Sequence, residues 1–90
     1  MNLSEITFRL SKIDNWSLGS NSIFKEFEFE GFTEAVTFVN DVAEIAEKYN
    51  HHPDISIQFK RVSLTLTTHS AGGLTEKDFE LAEEIDSLNK

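Results

Sequence analysis

The sequence predicts an α+β domain in which a four-stranded antiparallel sheet carries helices on one face, in the order α-β-β-α-β-β-α. Three observations support this fold. Segments with apolar residues at the helical period alternate with pairs of segments whose apolar residues recur at every second position. Each strand segment has a single apolar face, which is typical of a sheet covered on one side. Finally, GFTE at 31–34 and GLTE at 73–76 form a short repeat, since each follows a strand and opens a helix.

Length and composition indicate one small domain that spans residues 1–90. The chain is 39% hydrophobic, which is enough for one core. It contains no cysteine, so disulfides, thiol nucleophiles and cysteine-ligated metals are excluded. Its apolar runs are far shorter than the ~20 residues of a membrane span, and no signal-peptide core is evident, so we expect a cytoplasmic protein. The net charge of −8 argues against direct binding to nucleic acid.

The first part of the chain predicts a helix and two strands. Residues 4–13 place apolar side chains at three- and four-residue steps, with Ser4 as the expected N-cap. A short strand segment at 16–18 is followed by the turn cluster GSNS at 19–22. The alternating segment IFKEFEF at 23–29 then predicts a longer strand, which together with 16–18 gives the first strand pair.

The middle of the chain predicts a long helix with a definite end. Its apolar stripe runs from Ala35 to Tyr49, and Thr33 is the expected N-cap. Pro53 disfavours helical geometry at the residue before it. We therefore expect the helix to end near Asn50.

The last third of the chain predicts two more strands and a helix. Apolar and polar residues alternate over 55–59 and again over 62–66. The segment SAGG at 70–73 is a loop, after which Thr75 is the expected N-cap of the final helix. Asp78 stands at the third helical position, where a carboxylate can bond back to free backbone amides.

The predicted second hairpin brings the three histidines of the chain together. A two-residue turn at Lys60 and Arg61 pairs residues whose numbers sum to 121, and it matches the apolar faces of the two strands. This register sets His52 opposite His69, and opposed residues lie about 5 Å apart. A four-residue loop with the same sum would keep the pairing, whereas a bulge would turn the face over. We expect His51 at the same end, because Pro53 makes the helix-to-strand junction irregular.

Three neighbouring histidines suit proton transfer, because an imidazole titrates at about pH 6.5 and can give or take a proton at neutral pH. Other interpretations stay open. His51 could act only as a favourable group at a helix C-terminus. Three imidazoles could also bind zinc, with Asp54 or Asp78 as a fourth ligand, although the helical H-x-x-x-H spacing is missing. Ser70 lacks the elbow of a nucleophile, and acidic residues oppose phosphate binding at 70–75.

Three segments carry a resemblance to a known family. AEKYNHHPDI (46–55), LTTH (66–69) and AGGLTEKDFELAEEID (71–86), in that order, closely resemble the pterin-4a-carbinolamine dehydratases. Trp16, the strand IFKEFEF and the helix FTEAVTFVNDVAEIAEK also match, so the resemblance covers nearly the whole chain. The segment between Trp16 and Ile23 is short against the family, which we expect to trim a hairpin turn and leave the pocket untouched.

The resemblance implies an enzyme that removes water from 4a-hydroxytetrahydropterin and gives quinonoid dihydropterin. That substrate is left when aromatic amino acid hydroxylases use tetrahydrobiopterin. The reaction delivers a proton to the leaving hydroxyl and removes one from the adjacent nitrogen, so no metal, redox cofactor or covalent nucleophile is needed. The resemblance also implies a homodimer or homotetramer, often assembled by joining sheets. In animals, members also bind a homeodomain transcription factor, a role that motifs alone do not transfer.

The resemblance further implies roles for the three histidines. His51 and His69 are the expected acid and base, without a choice between the two roles. His52 is expected to orient the substrate or to take part in catalysis. A competing hypothesis is a non-catalytic module that binds another protein. An exposed Phe24 and an open sheet edge would support this hypothesis.

The remaining site residues implied by the resemblance lie in the same motifs. Asn50, Thr67 and Thr68 are expected to make polar contacts to the pterin, and Pro53 belongs to the same binding segment. Asp78 matches the family's aspartate beside the pocket, where it would orient a histidine or raise its basicity. A simple helix cap is the other interpretation of Asp78, and the two are compatible.

Overall fold

The structure is a computed structural model that describes residues 1–88, and its elements follow the order predicted from the sequence. The helices are α1 (Leu3–Leu10), α2 (Phe32–Tyr49) and α3 (Glu76–Ser87). The strands are β1 (Ser17–Leu18), β2 (Ile23–Glu28), β3 (Asp54–Gln58) and β4 (Arg61–Leu66). A one-turn 3-10 helix, His69–Ala71, lies between β4 and α3. The predicted fold class is confirmed.

The four strands form one antiparallel sheet in the order β1-β2-β4-β3. The inward side chains of the central strand β4 have no exposed surface; they are Val62, Leu64 and Leu66. β2 adds Ile23 and Phe27 to the same core. Strand alternation therefore produces a sheet with one buried face, as the sequence pattern predicts.

The helices cover this buried face. α2 and α3 contribute most of the remaining core side chains, while α1 contacts the core only through partly buried residues, Ile6 and Leu10. Within α3, Phe79 and Ile85 are completely buried. Of the three helices described, none is both long enough and apolar enough to cross a membrane.

Two predicted helix starts are wrong. α1 is capped by Asn2 instead of Ser4. The side-chain oxygen of Asn2 accepts from the Glu5 N–H at 2.9 Å, and the Asn2 N–H donates to the Glu5 carboxylate at 3.0 Å. This reciprocal pair satisfies two free amides of the first turn. α2 starts after Gly31, so Thr33 lies inside the helix.

The turn between β3 and β4 also differs from its prediction. The last pair of the hairpin is Gln58–Arg61, so the two-residue turn is Phe59–Lys60. Phe59 adopts a left-handed φ of 55°, which is uncommon for a bulky residue but suits a tight hairpin turn. The alternation of apolar residues shows which face of each strand is buried, and a register shifted by two residues buries the same faces. It therefore did not distinguish the observed turn from the predicted turn at Lys60 and Arg61.

This register overturns the predicted ladder pair of His52 and His69. Paired residue numbers sum to 119, as in Asp54–Thr65, because the register is shifted by two. An even shift keeps the apolar face on the core, but β3 begins at Asp54 and His69 lies in the 3-10 turn beyond β4. The two histidines therefore belong to separate connecting segments.

A largely buried ion pair explains the lysine that interrupts the apolar face of β2. Lys25 Nζ donates to Asp86 Oδ1 of α3 at 2.9 Å, and the two side chains are 14% and 10% exposed. Asp86 also accepts from the Trp16 indole N–H at 3.0 Å and from the Asp14 N–H at 3.1 Å. This cluster fastens α3 to β2 and to the segment after α1.

Removal of Asp86 is expected to lower the free energy of unfolding strongly. The Asp86→Ala variant leaves the Lys25 ammonium and the Trp16 N–H without their acceptor, at a cost of about 3–5 kcal/mol. The matched control is Glu26→Ala, because the Glu26–Arg61 pair is exposed and 3.8 Å long; its loss should cost less than about 1 kcal/mol. Urea denaturation measures both, and equal losses would contradict this role of Asp86.

Candidate active site

The end of α2 positions the first two histidines. Asn50 follows the helix in the left-handed conformation, with φ 49° and ψ 45°, and the His51 N–H donates to the Ala46 carbonyl at 3.0 Å. This arrangement terminates a helix and satisfies its last carbonyls. Pro53 then precedes β3, so the predicted helix end near Asn50 is confirmed. His51 and His52 consequently lie in a short irregular connection.

The two adjacent imidazoles have different partners. The His51 side chain is 11% exposed, and its Nε2 lies 2.6 Å from Asp78 Oδ1. The His52 side chain is 57% exposed, and its Nε2 lies 2.5 Å from Glu47 Oε2 in the last turns of α2. His51 is therefore nearly buried and held by Asp78, whereas His52 is open to solvent.

Asp78 is the polar centre of the site. It has no exposed surface, and its carboxylate receives three hydrogen bonds. His51 Nε2 lies at Oδ1, while the Thr68 hydroxyl donates to Oδ2 at 2.8 Å and the Thr75 N–H donates to Oδ2 at 2.9 Å. Within residues 1–88, no buried side-chain polar atom lacks a partner. These bonds compensate the cost of placing a carboxylate in the protein interior.

The contact with Asp78 selects the tautomer of His51. An ionised carboxylate only accepts hydrogen bonds, so the short contact requires a proton on Nε2. In the neutral ring Nδ1 then carries the lone pair. A buried aspartate that holds a histidine in one tautomer is the arrangement that prepares an imidazole for general base catalysis.

The segment between β4 and α3 positions the third histidine. The Thr68 N–H donates to the Gly73 carbonyl at 3.1 Å, and the Gly73 N–H donates to the Thr68 carbonyl at 3.3 Å, which closes a small loop. His69 opens the 3-10 turn inside this loop and is exposed. Gly72 ends the turn with φ 70°, a conformation that favours glycine. His69 is thus one residue from a side chain that contacts Asp78.

The predicted site residues fall into two groups. The structure joins His51, Thr68 and Asp78 by direct hydrogen bonds. The Thr67 hydroxyl instead donates to the Asn21 carbonyl at 2.6 Å, in the turn between β1 and β2. His52, Asn50 and Pro53 form the connection next to His51, and His69 follows Thr68 along the chain.

Two residues of this region were missed as site residues by sequence reasoning. Glu47, the partner of His52, is five positions before it across an irregular junction, where no periodic pattern applies. Thr75 was predicted only as a helix cap, yet its hydroxyl also lies 2.8 Å from that of Thr68. The T-x-x-D spacing of Thr75 and Asp78 predicts the capping interaction, but it does not predict the contact between the Thr75 and Thr68 hydroxyls.

The geometry does not favour the zinc alternative. In the part of the chain that the structure describes, no three His, Cys, Asp or Glu side chains are grouped to hold a metal ion. The Nε2 atoms of His51 and His52 are instead directed at separate carboxylates.

Comparison with known proteins identifies the family. The family model described as Pterin 4 alpha carbinolamine dehydratase matches residues 1–88. The chain belongs to this family. Two relatives bear the name "Putative pterin-4-alpha-carbinolamine dehydratase". The one from Picosynechococcus sp. is 49% identical, over 94% of this chain and 92% of the relative. The one from Sulfolobus acidocaldarius is 47% identical, over 94% and 93%. The resemblance stated from the sequence is confirmed.

Solved structures of related proteins share the fold. A transcriptional coactivator/pterin dehydratase from Brucella melitensis has a TM-score of 0.91 and 34% identity, and the match covers 97% of this chain and 95% of that one. A pterin dehydratase-like protein identified as a RuBisCO assembly factor in the alpha-carboxysome has a TM-score of 0.69 and 26% identity, over 82% and 88%. The same fold thus occurs in proteins described by different roles.

A tyrosine fastens the end of α2 to the helix that carries Asp78. The Tyr49 hydroxyl donates to Glu84 Oε1 of α3 at 2.6 Å. This hydrogen bond, together with burial and the negative charges of Glu84 and Glu80, raises the pKa of Tyr49 above its ordinary value of 10.0. The contribution of Tyr49 to stability is therefore complete below pH 10.0 and is lost as the pH rises through the raised pKa.

Alkaline titration tests this contact directly, because Tyr49 is the only tyrosine in the chain. Tyrosinate absorbance should appear with a midpoint above 10.0 in the wild type. The Glu84→Gln variant should move the midpoint back towards 10.0, because it removes the carboxylate. Glu44→Gln, an exposed position on α2, serves as the control. A wild-type midpoint at or below the ordinary value would refute the contact.

Proposed function

We propose that this protein is a hydro-lyase that removes water from 4a-hydroxytetrahydrobiopterin and gives quinonoid dihydropterin, in the recycling of tetrahydrobiopterin. Membership of the dehydratase family supports the reaction class. The single observation that carries the proposal is the contact of His51 with Asp78, a nearly buried imidazole held in one tautomer by a buried carboxylate. The whole chain would act as one catalytic domain.

The proposed reaction needs one acid and one base. The substrate carries a hydroxyl on a carbon bonded to nitrogen. The acid gives a proton to this hydroxyl, the carbon–oxygen bond breaks with its electron pair on oxygen, and water leaves. The nitrogen lone pair forms the carbon–nitrogen double bond, and the base takes the N–H proton. The acid and base end with exchanged protonation states, which proton exchange with water restores.

We assign the base to His51 and the acid to His69. With its Nε2 proton directed at Asp78, His51 offers the lone pair of Nδ1 to the substrate N–H. His69 is exposed and follows Thr68, whose side chain contacts the same carboxylate. Because His51 and Thr68 contact the same carboxylate and His69 is the next residue after Thr68, we place both imidazoles at one pocket.

The other residues would bind the pterin. His52 is open to solvent and has its Nε2 at Glu47, so its Nδ1 is the atom available to the substrate. The single hydroxyl proton of Thr67 is directed at the Asn21 carbonyl, which leaves its oxygen to accept a hydrogen bond from a pterin N–H. Asn50 and Pro53 would line the same pocket through the α2–β3 connection.

We also propose that the protein is cytoplasmic and assembles as a homodimer or homotetramer by joining sheets. β3 lies at the edge of the sheet, beside β4. Ile55 on this strand is 39% exposed, and Phe59 in the adjacent turn is 68% exposed. An edge strand with exposed apolar side chains favours pairing with a second copy. The net charge of −8 favours a small-molecule substrate over direct contact with nucleic acid.

The proposal is tested by dehydration of 4a-hydroxytetrahydropterin, made in situ by a hydroxylase. Catalytic amounts of the protein should accelerate the reaction. The His51→Ala/His69→Ala variant should lose the catalysed rate, because acid and base each supply roughly 10²–10⁴-fold. Circular dichroism checks folding, and Lys12→Ala, at an exposed position, is the active control.

Two outcomes would contradict the proposal. Wild-type turnover in the double variant would remove the histidines from the mechanism. Absence of acceleration by the folded wild-type protein would exclude the dehydratase and favour a non-catalytic interaction module. The open edge at β3 and the exposed Phe24, at 44%, are the observations that favour this second function.

A further inference from the structure

The position of Thr68 does not suit a residue that binds substrate. Its side chain is among the few buried polar ones, and the residue is 7% exposed. Its hydroxyl lies 2.8 Å from Asp78 Oδ2 and 2.8 Å from the Thr75 hydroxyl. Both contacts are made inside the protein, between the end of β4 and the start of α3.

The direction of these hydrogen bonds follows from the chemistry of the groups. A carboxylate only accepts, so the single hydroxyl proton of Thr68 is donated to Asp78. The contact between the two hydroxyls must then be donated by Thr75. The result is a chain from Thr75 to Thr68 to Asp78, with His51 as the second donor to the same carboxylate. No hydroxyl proton of Thr68 remains for a ligand.

The two carboxylate oxygens of Asp78 have different partners: one contacts the threonines and the other contacts His51. Oδ2 receives the Thr68 hydroxyl and the Thr75 N–H, which fix the plane of the carboxylate. Oδ1 is thereby directed at His51 Nε2. Linked hydrogen bonds also polarise one another, so loss of an outer member weakens the bond to the imidazole.

We propose that Thr68 and Thr75 are positioning residues that act on His51 through Asp78, and that the Thr68 hydroxyl makes no contact with the pterin. This inference deepens the proposed dehydratase function and rests on it for its kinetic consequences. Thr75 performs two tasks: it caps α3, and its hydroxyl completes the hydrogen-bond chain that holds the general base in one tautomer.

The kinetic test separates positioning from binding. Thr68→Val keeps the shape of the side chain and removes the hydroxyl. We expect kcat to fall by roughly 10-fold or more with KM nearly unchanged, because the base is misoriented and the pterin contacts stay intact. Thr68→Ser should restore most of kcat. Thr65→Val, at a half-buried position on β4, is the control. A raised KM with unchanged kcat would overturn the inference in favour of a pterin contact.

A second readout does not depend on activity. Histidine nitrogen NMR of the wild type should show His51 protonated at Nε2. Thr68→Val should shift or broaden this signal, whereas Thr65→Val should leave it in place. If the wild type proves inactive, the proposed function fails while this spectrum still decides the positioning role. An unchanged His51 signal in folded Thr68→Val would overturn it.

Thr75→Gly provides an independent variant if Thr68→Val does not fold. Glycine is tolerated at a helix N-cap and keeps the backbone N–H that bonds Asp78, so the hydroxyl is lost together with the rest of the side chain while this N–H bond stays. We expect a smaller change of the His51 signal in the same direction, with rescue by Thr75→Ser. An unchanged His51 signal in Thr75→Gly would show that the Thr75 hydroxyl is not part of the hydrogen-bond chain that orients His51.

Discussion

A carboxylate without exposed surface lies where three segments of the chain meet, and the candidate active site depends on it. Asp78 stands in the first turn of α3, receives Thr68 from the end of β4, and receives His51 from the connection after α2. A buried charge is tolerated only when its partners are in place. The same hydrogen bonds that allow Asp78 to be buried therefore orient the imidazole, so folding and preparation of the site are coupled.

The position of Asp78 depends in turn on the anchoring of α3. Phe79, next to it, has no exposed surface and belongs to the hydrophobic core. Further along the helix, Glu84 accepts from Tyr49 at the end of α2, and Asp86 holds Lys25 of β2. α3 thus combines an apolar face with polar contacts along its length. This arrangement fixes both rotation and translation of the helix, which apolar packing alone specifies less sharply.

Much of the fold and part of the site could be predicted from the sequence, because the signals are local. Pro53 limits the helix before it, and the spacing of Asp78 after its capping threonine marks a helix start. The hairpin register was wrong because alternation defines only its parity, and the turn uses Phe59 in an unfavourable conformation. The contact of His52 with Glu47 crosses an irregular junction, so no periodicity predicts it.

The hydrogen bond between His51 and Asp78 couples the candidate site to the fold, and a double-mutant cycle on the free energy of unfolding measures this coupling. His51→Ala, Asp78→Ala and the double variant would be compared with the wild type by urea denaturation. We expect a coupling energy of about 1.5–3 kcal/mol, the range for a hydrogen bond to a charged group. Additive effects of the two substitutions, within about 0.5 kcal/mol, would contradict the claim.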